Sequence, residues 1–432
     1  MTFYIHTLGC KVNTYESKVM SDLLINAGFL KGEVDNSDIY IINTCFVTNV
    51  AEHKSFQMIR KYAKKGSLII VTGCVSQMES SKVKKENVDI ILGNKDKTKI
   101  VNYIKEYQNK QLIKIYDLTN TEFENMQLNN FDKTRAFVKI QDGCNNFCSY
   151  CIIPYTRGNV RSKKKEVVLE EITTLIKNGH KEIVLTGIHT GNYNDGSYDF
   201  ADLLKDIVKI NGLKRLRISS IEITEINDEV IKVIKDNPIL VDHMHIPLQA
   251  GSNTILSLMN RKYDINYFIN KIDKLRQIRP SISITTDVIV GFPKETEALF
   301  EETIINIKKI GFTKLHVFPY SLREGTVASK MDGQVLEEVK KQRVKTLITL
   351  SKQLELDYMN KFINKDIIFI PETYKEGYLI GHTGNYLNIK VQGNIKLLNT
   401  LVKVRINNLS YPYCMSTICK DSVDKDEKII YN

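Results

Sequence analysis

No stretch of the 432 residues approaches the ~20 consecutive apolar residues of a membrane span. Apolar runs such as Ile69-Ile70-Val71 and Ile90-Ile91-Leu92 have the length of buried strands. The start, Met1-Thr2-Phe3-Tyr4-Ile5-His6, lacks the basic residues and continuous apolar run of a signal peptide. Gly (22) and Pro (8) are too few for a fibrous chain, and 42% apolar content is too high for a disordered one. No low-complexity tract is present. These absences predict a globular cytoplasmic protein with no membrane partner. Disulfides are rare in that compartment, so eight cysteines need another use, and metal or cluster binding is the natural one.

What is present is basic and long. Sixty-one Lys and Arg against 50 Asp and Glu give +11, which favours a polyanionic partner, nucleic acid first. At roughly 150 residues per domain, the length predicts two or three domains. Three β-α units open the chain: Phe3 to Leu8 with a helix from about Glu16 to Ala27, Asp38 to Asn43 with a helix through Tyr62, and Ser67 to Val71. A short strand, Val88 to Leu92, and a helix near Thr98 to Tyr107 follow. This alternation implies a parallel sheet with flavodoxin-like or Rossmann-like winding. The polar stretch Asn120 to Asp132 reads as a linker.

From Arg135 the alternation resumes, with strands at Ala136–Ile140, Glu182–Thr186, Leu216–Ser220, Met244–Leu248, Ile282–Val290 and Lys314–Pro319. Six such strands form either a doubly wound sheet or an open, incomplete barrel. A charged helical run, Leu336 to Phe362, leads to a tail of short strand patterns, the composition of a small β-barrel of a kind that often binds RNA. Residues 366–432 carry 8 Lys and Arg against 7 Asp and Glu, so a tail that grips RNA shares the task with the centre.

Chemistry concentrates in the cysteines. Cys144-Asn145-Asn146-Phe147-Cys148-Ser149-Tyr150-Cys151 is a Cys-x3-Cys-x2-Cys triplet after a strand. Thiolates are the natural ligands of iron–sulfur clusters, and three on one loop can reach one cube while leaving an iron open. Zinc and packed free thiols are the rival readings; structural zinc wants four closed ligands, and none lies just downstream. Cys10, Cys45 and Cys74 each end a strand of successive β-α units. In a parallel sheet those ends share one edge, where ligands bind at the reversal of winding. They can converge on a second cluster or be small buried residues. Cys414 and Cys419 read as structural thiols, and His243 and His245 as packing or polar-network residues. The basic run Arg157, Arg161, Lys163-Lys164-Lys165 is either solvated surface or a phosphate-positioning patch.

The triplet Cys144–Cys151 matches the signature of the radical S-adenosylmethionine superfamily. Within it, nearly the whole chain resembles the methylthiotransferases. Leu8-Gly9-Cys10-Lys11-Val12-Asn13, Asn43-Thr44-Cys45, Val71-Thr72-Gly73-Cys74, Gln141-Asp142-Gly143-Cys144, Ile152-Ile153-Pro154-Tyr155 and Arg157-Gly158 carry the likeness. The resemblance implies an α/β chain in parts: a doubly wound parallel sheet with an auxiliary cluster (1–119), a linker (120–132), an open (β/α)6 partial barrel as the radical core (133–330), a helical connector (331–364) and a TRAM-like RNA-binding β-barrel (365–432). It implies two [4Fe–4S] clusters, one on Cys144, Cys148 and Cys151, whose open iron binds S-adenosylmethionine, and one on Cys10, Cys45 and Cys74. It further implies tRNA as partner and an electron donor such as flavodoxin or ferredoxin. Tyr150 takes the place that packs near the cofactor adenine. Thr186-Gly187 corresponds to the motif receiving the methionine amino group, departing from the usual Gly-Gly-Glu. Ser219 and Glu222, with Ser220, and Gln249, with Gly251, are further cofactor candidates at strand ends.

Lys11-Val12-Asn13 after Gly9-Cys10 resembles the branch acting on threonylcarbamoyladenosine in tRNA, where a methylthio group replaces the hydrogen on adenine C2. The isopentenyladenosine branch usually has Gly-Cys-Gln-Met-Asn, and the ribosomal-protein branch Leu-Gly-Cys-x-Lys-Asn. A threonylcarbamoyl carboxylate needs cationic donors, and Arg157 and Arg161 are the candidates. The tail is expected to hold tRNA without completing the catalytic cavity. An iron–sulfur electron carrier or a plain RNA-binding protein is the non-enzyme alternative.

Overall fold

The computed structural model of the chain describes residues 1–64 and 66–423; residues 424–432, the end of the expected tail barrel, lie outside the described residues. Six strands form the N-terminal sheet: β1 (Thr2–Thr7), β2 (Leu30–Lys31), β3 (Ile39–Thr44), β4 (Leu68–Gly73), β5 (Ile90–Leu92) and β6 (Leu112–Lys114). They pair in the order β2-β1-β3-β4-β5-β6, all parallel, so winding reverses between β1 and β3. Every residue of β3 is buried, as befits a strand covered on both faces. Phe56, Ile59 and Tyr62 of α2 (Asn49–Ala63) cover one face, against Tyr40, Ile42 and Val71. Met20 and Leu24 of α1 (Lys11–Asn26), with Ile100 and Tyr103, cover the other, against Ile39, Ile41 and Ile70. The sheet is doubly wound.

The central strands are β7 (Arg135–Lys139), β8 (Glu182–Thr186), β9 (Arg215–Ile218), β10 (His243–His245), β11 (Ser283–Val290) and β12 (Lys314–Pro319). They form two parallel three-stranded sheets, β9-β8-β7 and β10-β11-β12. One seam joins them: Leu216 N donates to Ile239 O at 2.8 Å and Val241 N to Leu216 O at 3.1 Å. The result is an open six-stranded arc, and β7 and β12 are its free edges.

The N-terminal sheet closes that gap. On the β7 side, the Tyr15 hydroxyl of α1 lies 2.8 Å from Met126 O and 2.7 Å from Glu171 Oε1. Beyond β12, Asn49 N donates to Ser321 Oγ at 3.1 Å, and Arg323 pairs with Glu52. The stretch expected as a linker is a packed strap, because its sparse apolar residues point inward. Met126, Leu128 and Phe131 are buried in the same core as Tyr15, Ala136 and Ile183.

Helix Glu337–Asn360 runs from the arc to the tail and supplies Tyr358 and Met359 to the tail core. The tail is a closed five-stranded barrel. Its strands are β13 (Asp366–Lys375), β14 (Tyr378–Thr383), β15 (Asn388–Gln392), β16 (Val402–Ser410) and β17 (Tyr413–Val423), closed as β13-β14-β15-β17-β16. It docks on the amino ends of β7 and β9. Arg215 donates to Ile368 O and His382 O at 2.8 and 3.1 Å, and Arg135 to Tyr386 Oη at 2.8 Å. The tail is thus packed against the amino ends of the arc's strands. Among the described residues, no helix is long and apolar enough to cross a membrane.

Candidate active site

Cys10 is the N-cap of α1, Cys45 follows β3 directly, and Cys74 follows β4 and opens the helix Cys74–Met78. The first two flank the reversal of winding, where a parallel sheet leaves its ligand crevice. Local geometry presses the three loops together. Gly9 has φ +94°, and a Cβ there would sit 2.8 Å from Cys45 Sγ. Gly73 has φ +102°, and a Cβ there would meet Thr44 O at 2.5 Å. Asn13 Nδ2 ties two loops, donating to Leu8 O at 2.7 Å and Thr44 O at 3.0 Å. Asn94 Nδ2 spans the two units, 3.5 Å from Cys74 Sγ and 2.9 Å from Thr156 O.

The second triplet lies on the loop after β7. Gly143 has φ +74°, and a Cβ there would strike Asn159 O at 1.9 Å, so the loop folds tightly back on itself. Cys144, Cys148 and Cys151 are all half-buried. Arg261 Nη1 lies 3.3 Å from Cys148 Sγ and also pairs with Glu222. His189 Nδ1 lies 3.7 Å from Cys144 Sγ, and its Nε2 pairs with Glu225. Burial alone would lower the His189 pKa; the Cys144 sulfur and Glu225 overcome it and lift it to about 10. Neither Arg261 nor His189 stood out in the sequence. His189 had one usable signal, its place just past the carboxyl end of a barrel strand. Arg261 had none.

Both triplets suit clusters by donor chemistry. Burial, then repulsion from Cys74, pushes the Cys45 thiol up to about 11, and burial with repulsion from Cys148 and Cys144 pushes Cys151 to about 12. Each set is three soft sulfurs whose thiolate forms repel one another until a cationic iron centre neutralises them. Among the described residues, no three His, Cys, Asp or Glu side chains stand close enough to share a single metal ion. A four-iron cube holds its thiolates at separate corners, wider apart than around one ion.

Between the triplets lies a buried charge network. Arg157 donates to Glu16 Oε1 and Asn13 Oδ1, both at 2.6 Å, and stands 3.4 Å from Asp142. Lys139 bonds Glu16 at 2.6 Å and Asp142 at 2.7 Å, and Lys97 pairs with Glu16. Three buried cations face two carboxylates, beside Cys10 and Cys74. A cube carrying three thiolates is an anion and balances that surplus. Burial would raise Glu16, but Arg157, Lys139 and Lys97 hold it well below the usual carboxylate range. This overturns the expectation for Arg157: its guanidinium is fully buried and committed to joining the two units. Arg161 is committed as well, donating to Arg157 O at 2.6 Å and Asn159 O at 3.2 Å, and pairing with Asp142 at 3.1 Å.

The remaining sequence candidates ring the carboxyl ends of the arc. Tyr150 is half-buried, its ring edge-on to Phe292 at 6.5 Å. Gly187 packs so closely on Gln141 that a Cβ would lie 2.9 Å from its Oε1. Ser219 Oγ is 3.4 Å from Thr186 Oγ1. Gln249 sits at φ +67°, bridged to β11 by its backbone. Glu222 is engaged by Arg261.

The inner face of the arc is polar. Glu182 pairs with Arg215 and Arg217 at 3.5 and 2.7 Å. His243 and His245 share Thr285 Oγ1 at 3.2 and 3.0 Å, so their expected polar-network role is the one they occupy. Cys10 and Lys11 are solvent-exposed, yet burial raises the Cys10 thiol and lowers the Lys11 ammonium.

Models of known families match this layout: one described as Radical SAM superfamily over residues 138–305, and one described as Uncharacterized protein family UPF0004 over 2–93. The chain is 43% identical to threonylcarbamoyladenosine tRNA methylthiotransferase MtaB of Bacillus subtilis over 95% of both chains. It is 39% identical to the protein of that name from Thermotoga maritima, again over 95% of both. Identity to tRNA-2-methylthio-N(6)-dimethylallyladenosine synthase of Thermodesulfovibrio yellowstonii is 37%, over 93% of this chain and 95% of that one. Among solved structures, the radical S-adenosylmethionine methyltransferase TsrM from Kitasatospora setae aligns with a TM-score of 0.55 over 74% of each chain at 12% identity, a likeness of fold. A Cys-x3-Cys-x2-Cys loop after β7 and three cysteines at the strand ends of the N-terminal sheet, in a chain alike to these relatives almost end to end, place it in the methylthiotransferase family of radical S-adenosylmethionine enzymes.

Proposed function

We propose that the protein exchanges the C2 hydrogen of N6-threonylcarbamoyladenosine in tRNA for a methylthio group. One observation carries the mechanism: the N-terminal sheet closes the open side of the arc with Cys10, Cys45 and Cys74 at the gap, and the Cys144–Cys151 loop stands at the carboxyl end of β7. Bound to these two triplets, [4Fe–4S] clusters supply one-electron cleavage of S-adenosylmethionine at Cys144, Cys148 and Cys151, and a sulfur-delivery site at Cys10, Cys45 and Cys74. The chain does the rest. Arg261 and His189 set the electrostatics of the radical loop; His189, just past β8, and Arg261 tie it to Glu225 and Glu222 after β9. In this reading Tyr150, Gly187, Ser219, Glu222 and Gln249, on that loop and past the ends of β8, β9 and β10, hold the S-adenosylmethionine. The N-terminal sheet and the tail floor exclude water, which keeps a reactive carbon centre from side reactions.

The threonylcarbamoyladenosine branch is supported by the Gly9-Cys10-Lys11-Val12-Asn13 motif and by an identity to the Bacillus subtilis and Thermotoga maritima proteins of that name above that to the Thermodesulfovibrio yellowstonii synthase. A small reductant such as flavodoxin or ferredoxin, and a cytoplasmic location alongside tRNA, belong to the same reading. The test offers anaerobically reconstituted enzyme tRNAs bearing threonylcarbamoyladenosine or isopentenyladenosine, followed by nucleoside mass spectrometry. Methylthiolation of the first is expected. Product on the isopentenyl tRNA alone, or on a ribosomal protein, rejects the branch.

A further inference from the structure

One face of α2 packs on the N-terminal sheet, and the opposite face is bare and basic. Along it and just past its end, His53, Lys54, Gln57, Lys61 and Lys64 recur at helical spacing, all exposed. With Val50 and Arg60 they line a groove of about 790 Å³. Residues 49–64 hold four Lys and Arg against one acid, Glu52. That acid is taken by Arg323, and Arg60 is neutralised by Glu86 at 2.6 Å. Lys54, Lys61 and Lys64 have no acidic partner among the described residues. The tail, with 8 Lys and Arg against 7 Asp and Glu over residues 366–432, supplies little of the chain's surplus of +11. This stripe concentrates it.

We propose that the outer face of α2 is a rail for the sugar-phosphate backbone of the tRNA. The proposal rests on the tRNA substrate of the reading above, not on the identity of its modified base. From Lys54 to Lys64 the helix rises ~15 Å, so the three ammonium groups stand in a line that suits successive phosphates. Of the residues lining the groove, only Val50 is apolar, at the end nearest the arc. A protein partner's contact centres on buried apolar or aromatic side chains, which the stripe lacks. The rail also has a fixed register to the catalytic centre. Buried Ser55 Oγ, next to Lys54 in sequence, lies 3.2 Å from Cys45 N and 3.1 Å from Cys45 O. At the start of the helix, Asn49 N reaches Ser321 Oγ past the end of β12. A phosphate held on the outer face is thus one helix away from Cys45. Such contacts position a nucleic acid without reading its sequence.

The test titrates reconstituted holoenzyme against labelled tRNA, with and without threonylcarbamoyladenosine, by fluorescence anisotropy across a KCl series. K54Q/K61Q/K64Q should bind both tRNAs about 10-fold weaker near 0.1 M salt, and its salt slope should fall by about 2. In turnover, KM for tRNA should rise by a similar factor while kcat at saturating tRNA holds. K54R/K61R/K64R keeps the charge and should bind as wild type does. K177Q/K232Q/K235Q removes as many exposed lysines from two helices of the arc and should keep the wild-type slope. Affinity and slope that survive K54Q/K61Q/K64Q overturn the proposal. So does an equal loss in K177Q/K232Q/K235Q, which would make the effect one of net charge. So does a K54Q/K61Q/K64Q variant that binds tRNA normally but is reduced more slowly by flavodoxin, which would make the stripe a dock for an acidic protein. Failure of the threonylcarbamoyladenosine reading looks different: wild type would leave that nucleoside unmodified while tRNA binding still depended on the stripe.

Discussion

Glu16 is held by Arg157, Lys139 and Lys97 at once, and Arg157 reaches it across 141 positions of sequence. R157Q keeps a hydrogen-bonding group but removes the charge. Losing one partner of a buried pair costs about 3–5 kcal/mol; Lys97 and Lys139 remain, so about 2–3 kcal/mol is expected, read from the urea midpoint. Glu16 and Asp142 are both held below the usual carboxylate range, Asp142 by Lys139, Arg161 and Arg157 against the effect of burial. A carboxylate with a lowered folded pKa stabilises fully above its unfolded value near 4 and loses that contribution as pH falls towards the folded one. The wild-type midpoint, measured on metal-free protein, should therefore drop from about pH 4 downward, and the R157Q curve should be flatter over the same range. A variant as stable as wild type and equally acid-sensitive would remove the network from the account. None of this was legible beforehand. Arg157 follows a cysteine loop, which locally reads as an anion site, and nothing near it announces a glutamate on a distant helix. The cysteines were legible because each sits at a strand end, a place that periodicity does locate.

At the scale of elements, hydrophobic periodicity found the strands that are buried on both faces. Glu182–Thr186 stands where the pattern put it, and so does the partly exposed edge strand Lys314–Pro319. It missed β2 and β6, edge strands of two and three residues, too short to show a period. It missed β17, whose Tyr413-Cys414-Met415-Ser416-Thr417 alternation is diluted by polar residues. It began α1 about five residues late, because the first turn is polar and Asn13 faces backbone carbonyls instead of the core. The tail barrel carries a groove of about 860 Å³ lined by Tyr374, Tyr378, Lys390 and Met415. Lys390 Nζ stands 4.5 Å over the Tyr378 ring and 5.7 Å from the Tyr413 ring. Aromatic faces beside a cation suit unstacked RNA bases and their phosphates. K390E with Y378A should weaken tRNA binding about 10-fold and reduce the salt slope by about 1. Cleavage of S-adenosylmethionine without tRNA should be unchanged. Unaltered tRNA affinity would move the grip to another surface.

At the scale of the whole molecule, three parts that are far apart in sequence pack against one another. The arc supplies the radical loop, the N-terminal sheet closes its open side, and the tail barrel floors it. The parts are tied by polar contacts such as Asn94 to Thr156 and Arg215 to the tail backbone, yet each cysteine triplet is shaped by its own surroundings. Cys10, Cys45 and Cys74 are set by Gly9, Asn13, Thr44 and Gly73, all within the N-terminal sheet. The Cys144 loop is pinned by Cys144 N to Gly158 O and Ser149 N to Met259 O, at 3.1 Å each, within the arc. Two cluster sites whose cysteine loops are each set by local contacts should fail one at a time. Replacing Cys144, Cys148 and Cys151 with Ala should leave about half of the iron and abolish deoxyadenosine formation, since the electron has no route to S-adenosylmethionine. Replacing Cys10, Cys45 and Cys74 should also leave about half of the iron but keep deoxyadenosine formation, with no methylthio product on tRNA. Iron assay, deoxyadenosine release and nucleoside mass spectrometry read the three quantities separately. If either triple variant lost all its iron, the sites would depend on each other through the Arg157 network. If the first still cleaved S-adenosylmethionine, the radical loop would lie elsewhere.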